Sequence, residues 1–265
     1  MLPSSSMAPK IILAAFFVIF SLKFYSAKSE TWVKGGYWYS GSGFPSSDIN
    51  SALFTHLFCA FADVNSTSYE LFLSASDEKE FSNFTDTVKQ KNPSVSTLLS
   101  IGGGNAKYST LSTMPGLDSG SFPVKEMEQY LDWANVMAYD FYSPQWAWIS
   151  GGLSSNKVVL NLPFYGYAWT LANAQDNGIG APATGPATTE DGDMSYKDIR
   201  DYVLSYGANI LYNATYVVNY CTIGTSWIGF DDVEVVKIKV AYAKEKKLLG
   251  YNAWQISHDD NWILS

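Results

Sequence analysis

Acidic side chains at the ends of buried strands would be the first sign of bond-cleaving chemistry in this sequence. Only Asp63 and Asp140 directly follow strand-like apolar runs, so only these two carboxylates are expected to point into the mouth of a sheet. Every glutamate falls instead in a helix-like segment, a loop or the N-terminal junction. A proton-donating glutamate at a strand end is therefore not predicted.

Other catalytic chemistries lack their sequence signatures. The two histidines, His56 and His258, are far apart and have no Cys or Glu at ligand spacing, which argues against a zinc site. The run Gly102 to Gly104 lacks the spacing of a phosphate-binding loop, and no nucleophile-elbow pattern for Ser-His-Asp chemistry is present. We predict neither a metal nor a cofactor.

Charge and aromatic content indicate a neutral partner. The net charge is −8, whereas nucleic acids and anionic membranes bind clustered Lys and Arg, so neither is expected as a partner. Aromatic residues make up 16% of the chain, with 9 Trp and 18 Tyr. Such rings stack on sugar faces while their polar edges form hydrogen bonds, although most are expected to fill the core. A polysaccharide fits this composition.

Short apolar strands alternate with helix-like segments, as in parallel βα units. Nearly continuous apolar strands indicate an α/β sheet that is buried on both faces. Residues 168–230 change to a Gly/Pro/Thr-rich pattern with one helix at 196–206, which predicts an inserted α+β subdomain. About six strands are found, fewer than the eight of a complete TIM-type (β/α) barrel. They are predicted at 31–39, 53–64, 95–101, 133–139, 157–167 and 248–256.

The N-terminus has the layout of a cleaved secretory signal peptide. Lys10 precedes the apolar run Ile11 to Leu22, which is shorter than the roughly 20 residues that cross a bilayer. We predict a signal peptide at 1–29 and a secreted, extracellular domain at 30–265, free of the membrane after cleavage. An uncleaved N-terminal anchor is the alternative.

Secretion would allow glycosylation at three Asn-x-Ser/Thr triplets and disulfide formation between the cysteines. Asn65, Asn83 and Asn213 are candidate glycosylation sites. Cys59 and Cys221 could pair in an oxidising compartment, but Cys59 lies inside an apolar strand, which favours core packing.

Several blocks occur in one order along the chain: KGGYWYSGSGFP, FTHLFCAFADV, LLSIGGGN, WANVMAYDFY, LPFYGYAWTL, DNGIGAPATGPAT, WIGFDDVEVVKIKVAYAKEKKLLGY and AWQISHDDNW. Together they resemble the plant class V chitinases of glycoside hydrolase family 18, over nearly the whole predicted mature chain. The resemblance implies a (β/α)₈ barrel with an α+β insertion after the seventh strand. It also implies a substrate that lies across the carboxyl ends of the strands.

The resemblance defines what the catalytic machinery would be. In that family the N-acetyl oxygen of the substrate attacks the anomeric carbon while one glutamate protonates the leaving oxygen. That glutamate ends an Asp-x-x-Asp-x-Asp-x-Glu pattern on the fourth strand, and no such pattern occurs here. An internal deletion at 114–122, removing the fourth and fifth strands, is the implied cause. We predict no catalytic residue, because a general acid worth about 10²–10⁴-fold is missing.

Part of a sugar site is implied to remain. The segment 137–140 matches the Met-x-Tyr-Asp strand end that hydrogen-bonds the N-acetyl group, and Trp254 matches the ring that floors the central subsite. Any of these residues could instead be ordinary barrel filling. The substrate-binding residues implied by the resemblance are Tyr37, Phe61, Met137, Tyr139, Asp140, Tyr165 and Trp254.

These inferences predict a monomeric, secreted chitinase-like protein that binds chitin or N-acetylglucosamine oligosaccharides without hydrolysing them. Two alternatives stay open: an active chitinase that uses another carboxylate, and a non-functional deletion product of such an enzyme. The connection 144–156 is shorter than in the family, which leaves the presence of its helix open.

Overall fold

The computed structural model describes residues 32–65, 67–68, 70–103, 124–139 and 145–265. The helices are α1 (Ala75–Lys91), α2 (Val124–Tyr130), α3 (Gln145–Gly151), α4 (Tyr196–Tyr206) and α5 (Val233–Glu245). Single turns of 3₁₀ helix lie at 40–42, 46–48, 51–53, 155–157 and 256–258. The strands are β1 (Val33–Tyr39), β2 (His56–Val64), β3 (Leu71–Phe72), β4 (Ser96–Ile101), β5 (Ala134–Met137), β6 (Val158–Pro163), β7 (Tyr165–Leu171), β8 (Ala183–Pro186), β9 (Asp193–Ser195), β10 (Ile210–Asn213), β11 (Val218–Ile223), β12 (Ser226–Phe230) and β13 (Gly250–Trp254).

Parallel strands form the main sheet in the order β4-β2-β1-β13-β6-β5. The short β3 adds an antiparallel pair to β2. Within the described part of the chain, β4 and β5 each pair on one side in this sheet and do not pair with each other. This open-edged sheet confirms the predicted incomplete barrel.

Contacts across one side of the sheet show that it is curled. Three strand spacings separate β1 from β5, about 14 Å in a flat sheet. Nevertheless, Asn135 Nδ2 of β5 donates to the hydroxyl of Tyr37 on β1 over 2.9 Å. The ring centroids of His56 on β2 and Trp133, just before β5, are 5.5 Å apart. The sheet therefore bends into a partial barrel whose interior is spanned by side chains.

A second, antiparallel sheet follows the order β10-β11-β12-β7-β8, with β9 also paired to β7. The single strand predicted at 157–167 is wrong, because the chain changes sheets at Phe164. The Phe164 N–H donates to the Trp254 carbonyl of the main sheet, and its own carbonyl accepts from Tyr196 at the start of α4. The second sheet consequently begins at Tyr165.

Helices cover the outer side of the main sheet. The Ser74 hydroxyl caps α1 by accepting from Asp77 N–H, and α1 brings Phe84 onto Trp38 of β1, with ring centroids 5.2 Å apart. The sequence left open whether the short connection 144–156 contains a helix. The structure shows that it does, because α3 lies in this connection. No helix within the described ranges is long and apolar enough to cross a membrane.

Both cysteines are free and buried, with Cys59 on β2 and Cys221 on β11. Burial raises the pKa of the Cys59 thiol to about 12 and that of Cys221 to about 11. The structure therefore favours core packing over a disulfide.

Candidate functional site

Aromatic rings from three adjacent strands meet on the inner side of the main sheet, close to its carboxyl edge. Trp254 ends β13, and the ring of Tyr37 on β1 meets it edge-on, with centroids 5.5 Å apart. Phe61, near the end of β2, also lies 5.5 Å from Trp254, while Phe58 stacks on Tyr37 at 4.5 Å. We call Tyr37, Phe58, Phe61 and Trp254 the ring floor. Trp254 is half-buried, so part of its ring faces solvent.

Gly103 makes room for the ring floor. Its φ of +89° is a conformation that side chains disfavour, and a Cβ there would lie 2.7 Å from Cδ2 of Phe61. Both constraints require glycine at this position. Within the glycine run that does not fit a phosphate loop, Gly103 thus has a packing role beside Phe61.

Two consecutive side-chain hydrogen bonds connect Tyr37 to β5 across the interior of the sheet. Trp133 Nε1 donates to Asn135 Oδ1 over 3.0 Å, and Asn135 Nδ2 donates to the Tyr37 oxygen over 2.9 Å. Burial raises the pKa of the Tyr37 phenol, outweighing the opposite effect of the Asn135 hydrogen bond. Tyr37 therefore stays protonated at neutral pH and keeps its own O–H as a donor.

Two buried amides lie one layer below the ring floor. Asn161 of β6 and Asn252 of β13 are register partners, and Asn252 precedes Trp254 by two residues on the same face. Asn161 Oδ1 and both polar atoms of the Asn252 amide are buried and lack a hydrogen-bond partner among the described residues. Asn252 occupies the space above Gly35, where an added Cβ would fall 1.3 Å from its Oδ1.

Sequence reasoning missed Asn135, Asn161 and Asn252. Each interrupts an otherwise apolar strand, and that interruption is a usable signal. A polar residue in a buried strand needs a partner, so its position indicates a feature of the interior.

The remaining predicted sugar contacts lie toward β5 and β7. Met137, at the end of the edge strand β5, is 39% exposed. The rings of Tyr139 and Tyr165 meet edge to face, with centroids 5.9 Å apart. Asp140 lies outside the described residues, so its predicted role stays a prediction. The structure therefore brings Tyr37, Phe61 and Trp254 into one cluster and Tyr139 and Tyr165 into another.

The acidic residues offer no proton donor to these rings within the described ranges. No glutamate there lies on a strand of the main sheet, and Asp63 is exposed opposite Phe72 in the β2–β3 pair. Glu128 of α2 accepts hydrogen bonds from the Ser154 N–H and hydroxyl. These bonds lower the pKa of Glu128, the opposite of what a general acid needs. No cluster of three or more metal-binding side chains occurs among the same residues.

The three candidate glycosylation sites are on different elements. Asn65 follows β2 and is exposed, with its Oδ1 accepting from the Thr67 and Ser68 N–H groups. Asn83 is exposed on α1, and Asn213 is half-buried at the end of β10. Their modification stays a prediction.

The sequence matches the family model for glycosyl hydrolases family 18 in two segments, residues 33–115 and 112–259. A class V chitinase of Arabidopsis thaliana is 35% identical over 355 aligned positions, which include 97% of this chain and 94% of the relative.

Solved structures of plant chitinases and of a chitinase-like agglutinin are also similar to this chain. A mutant class V chitinase from Nicotiana tobaccum in complex with NAG4 superposes with a TM-score of 0.81 and 34% identity, over 88% of this chain and 96% of that one. A chitinase-like agglutinin from Robinia pseudoacacia has a TM-score of 0.75 and 32% identity, over 88% and 97% of the two chains. These similarities support both the barrel fold and the resemblance found in the sequence.

Proposed function

The chain belongs to glycoside hydrolase family 18, and on that premise we propose that it is a chitinase-like protein that binds N-acetylglucosamine oligomers without cleaving them. One observation carries the proposal: the ring floor is intact, while no glutamate in the described part of the chain lies on a strand of the main sheet. Rings can bind a sugar without a proton donor, whereas cleavage needs one.

Support for binding comes from the ring geometry and from relatives. A half-buried indole with a phenol at its edge offers an apolar surface for a sugar ring and a hydroxyl for its rim. The Nicotiana relative was solved with NAG4, and the Robinia relative is described as an agglutinin. By the same similarity, Met137, Tyr139, Asp140 and Tyr165 would contact the sugar beside Trp254.

Support for inactivity comes from the chain length as well as from the acids. The alignment with the Arabidopsis chitinase extends over 355 positions although this chain has 265 residues, as expected if the relative carries residues that are missing here. The two family-model matches meet at 112–115, beside the predicted deletion at 114–122. A lost pair of strands would leave β4 and β5 as the open edges of the sheet.

We propose further that the protein is secreted, monomeric and glycosylated. The signal-like residues 1–29 favour secretion, and the exposed Asn65 and Asn83 favour glycosylation. N-terminal sequencing of protein from plant cells would test cleavage near residue 30. A mass decrease on deglycosylation would test glycan attachment.

Calorimetry with the N-acetylglucosamine tetramer tests the binding site. Trp254→Ala should weaken the affinity for the tetramer at least about 30-fold. Loss of a central aromatic contact costs about 2 kcal/mol of binding free energy, which corresponds to this change in Kd. Tyr216→Ala is the matched control, because Tyr216 is 66% exposed in the turn between β10 and β11. Equal affinities for the Trp254 and Tyr216 variants would contradict the proposed site.

The edges of β4 and β5, each without a strand partner on one side in the described ranges, favour one alternative, a non-functional deletion product. Unpaired edge strands promote aggregation, and Leu99 and Ile101 on β4 are 45% and 47% exposed. Sequencing the transcript across codons 114–122 distinguishes a deleted chain from an intact enzyme. An intervening stretch that encodes Asp-x-x-Asp-x-Asp-x-Glu would restore the enzyme and contradict the binding-only proposal.

A further inference from the structure

The outermost strand of the second sheet, β10, exposes three consecutive apolar side chains. Ile210, Leu211 and Tyr212 are each at least 45% exposed, and Tyr216 in the turn that follows is more exposed still. Because successive strand residues point to opposite faces, these side chains are exposed on both faces of β10. We call Ile210, Leu211, Tyr212 and Tyr216 the apolar edge. A contiguous exposed apolar patch marks either an interaction site or an aggregation liability.

The apolar edge lacks the features that protect other sheet edges. In the described part of the chain, β10 pairs with β11 on one side and with no strand on the other. The open side of such a strand offers unpaired backbone N–H and C=O groups to a second chain. Charged side chains or proline prevent this pairing in many proteins, yet the sequence contains neither between Asp201 and Asp231. Something else must therefore cover β10.

Asn213 ends β10 and begins the triplet Asn213-Ala214-Thr215, one of the predicted glycosylation sites. Its Oδ1 accepts from the N–H groups of Thr215 and Tyr216 over 2.9 Å and 3.0 Å, which fixes the orientation of the amide. Its Nδ2, the atom to which a glycan is attached, donates to no described residue and is not buried. The amide nitrogen is therefore held open to solvent.

The position of Asn213 brings any group on its Nδ2 close to the apolar edge. Strand alternation places Asn213 on the same face as Leu211, about 7 Å away along β10. The Tyr216 N–H that bonds to Asn213 keeps the turn folded beside the same amide. The first sugars of a glycan at this position can consequently reach both Leu211 and the turn.

We propose that a glycan on Asn213 covers the apolar edge and replaces the charges that this edge lacks. The inference rests on the proposed secretion and glycosylation, and it adds a site and a role. The donor is an oligosaccharide linked to a lipid diphosphate. A bond forms between Asn213 Nδ2 and the anomeric carbon, Nδ2 gives up one proton, and the lipid diphosphate leaves. The bulky, solubilising glycan then shields Leu211 and blocks strand pairing at β10.

Expression in plant cells with two substitutions at Thr215 tests the proposal. Thr215 is exposed, and Thr215→Ala destroys the glycosylation triplet while Thr215→Ser keeps it. Mass spectrometry should show the loss of one glycan in Thr215→Ala only. Size-exclusion chromatography should show the loss of monomer to aggregates in the same variant, while circular dichroism shows that all proteins are folded alike.

A second substitution shows whether exposure of the apolar edge causes the aggregation. Leu211→Lys places a charge on the edge strand, which is the protection that other proteins use. Added to Thr215→Ala, it should restore the monomer without restoring the glycan. Aggregation that persists in this double variant would overturn the role proposed for the glycan.

The remaining outcomes separate this inference from the proposals on which it rests. A wild-type protein without any glycan would overturn both the proposed glycosylation and the inference. A glycan on Asn65 but none on Asn213 would overturn the inference alone, as would a Thr215→Ala protein that loses its glycan and stays monomeric. Glycosylated wild-type dimers that Leu211→Lys disrupts would assign the apolar edge to a second copy of the chain and overturn the inference as well. Calorimetry with the tetramer tests sugar binding at the ring floor independently of all these results.

Discussion

Asn135 and Tyr37 lie 98 residues apart in sequence, yet the Asn135 amide donates to the Tyr37 hydroxyl over 2.9 Å across the inside of the curled sheet. Asn135 also accepts from the Trp133 indole. The edge strand β5 is thereby tied to the ring floor in a sheet whose β4 and β5 edges are unpaired in the described chain. Tyr37 owes its orientation against Trp254 partly to this bond.

Removing the Asn135 amide should therefore weaken both stability and sugar binding. Asn135→Ala leaves the Trp133 N–H and the Tyr37 oxygen unsatisfied, at a cost of about 1–3 kcal/mol in the free energy of unfolding. Chemical denaturation and calorimetry with the tetramer measure the two effects. Asn177→Ala, at an exposed loop asparagine, is the control. Unchanged tetramer affinity in a destabilised Asn135→Ala protein would limit Asn135 to a structural role.

A methyl group at Gly35 should destabilise the interior beneath the ring floor. Because the added Cβ would lie 1.3 Å from Asn252 Oδ1, Asn252 must move, and we expect a loss of about 1–3 kcal/mol in the free energy of unfolding. Gly178→Ala, where a Cβ meets nothing within 4 Å, should be nearly neutral. Shortening the obstructing side chain with Asn252→Ala should restore part of the loss. Additive losses in the double variant would contradict this explanation.

Acidification should destabilise the fold through its two histidines. Burial lowers the pKa of both His56 and His258 below the ordinary 6.5, although Asp198 opposes this at His258. Between the folded pKa values and 6.5, the unfolded chain binds more protons, so the free energy of unfolding falls as the pH drops through this window. Urea denaturation from pH 7 to 5 measures it.

The double variant His56→Gln/His258→Gln tests the assignment of this pH dependence. The chain has only 2 histidines, so the variant should flatten the profile over the same range. A wild-type profile that is already flat, or a variant with the wild-type slope, would show that the histidines are not responsible.

The sequence predicted the positions of the parallel strands better than the points at which strands break. Apolar runs located the six parallel strands, because a sheet buried on both faces must be apolar almost throughout. They did not reveal the break at Phe164, where the chain leaves β6 and its pairing with β13 for the second sheet without any loss of hydrophobicity. Only the change of hydrogen-bond partners marks that break, and partners are a tertiary property.

The candidate site was predicted by its rings and missed in its polar supports. Tyr37, Phe61 and Trp254 do meet, since parallel strands bring their carboxyl ends to one edge. The role of Asn135 depends on how far the sheet curls, which strand patterns do not encode.

The central claim, binding without cleavage, is tested most directly by incubating the protein with the N-acetylglucosamine hexamer and following the oligomer lengths by mass spectrometry. Calorimetry on the same sample confirms that the hexamer is bound. We predict a measurable binding heat and an intact hexamer after prolonged incubation. Accumulation of dimers and tetramers, abolished in Trp254→Ala, would contradict the claim and show that the chain supplies its own acid.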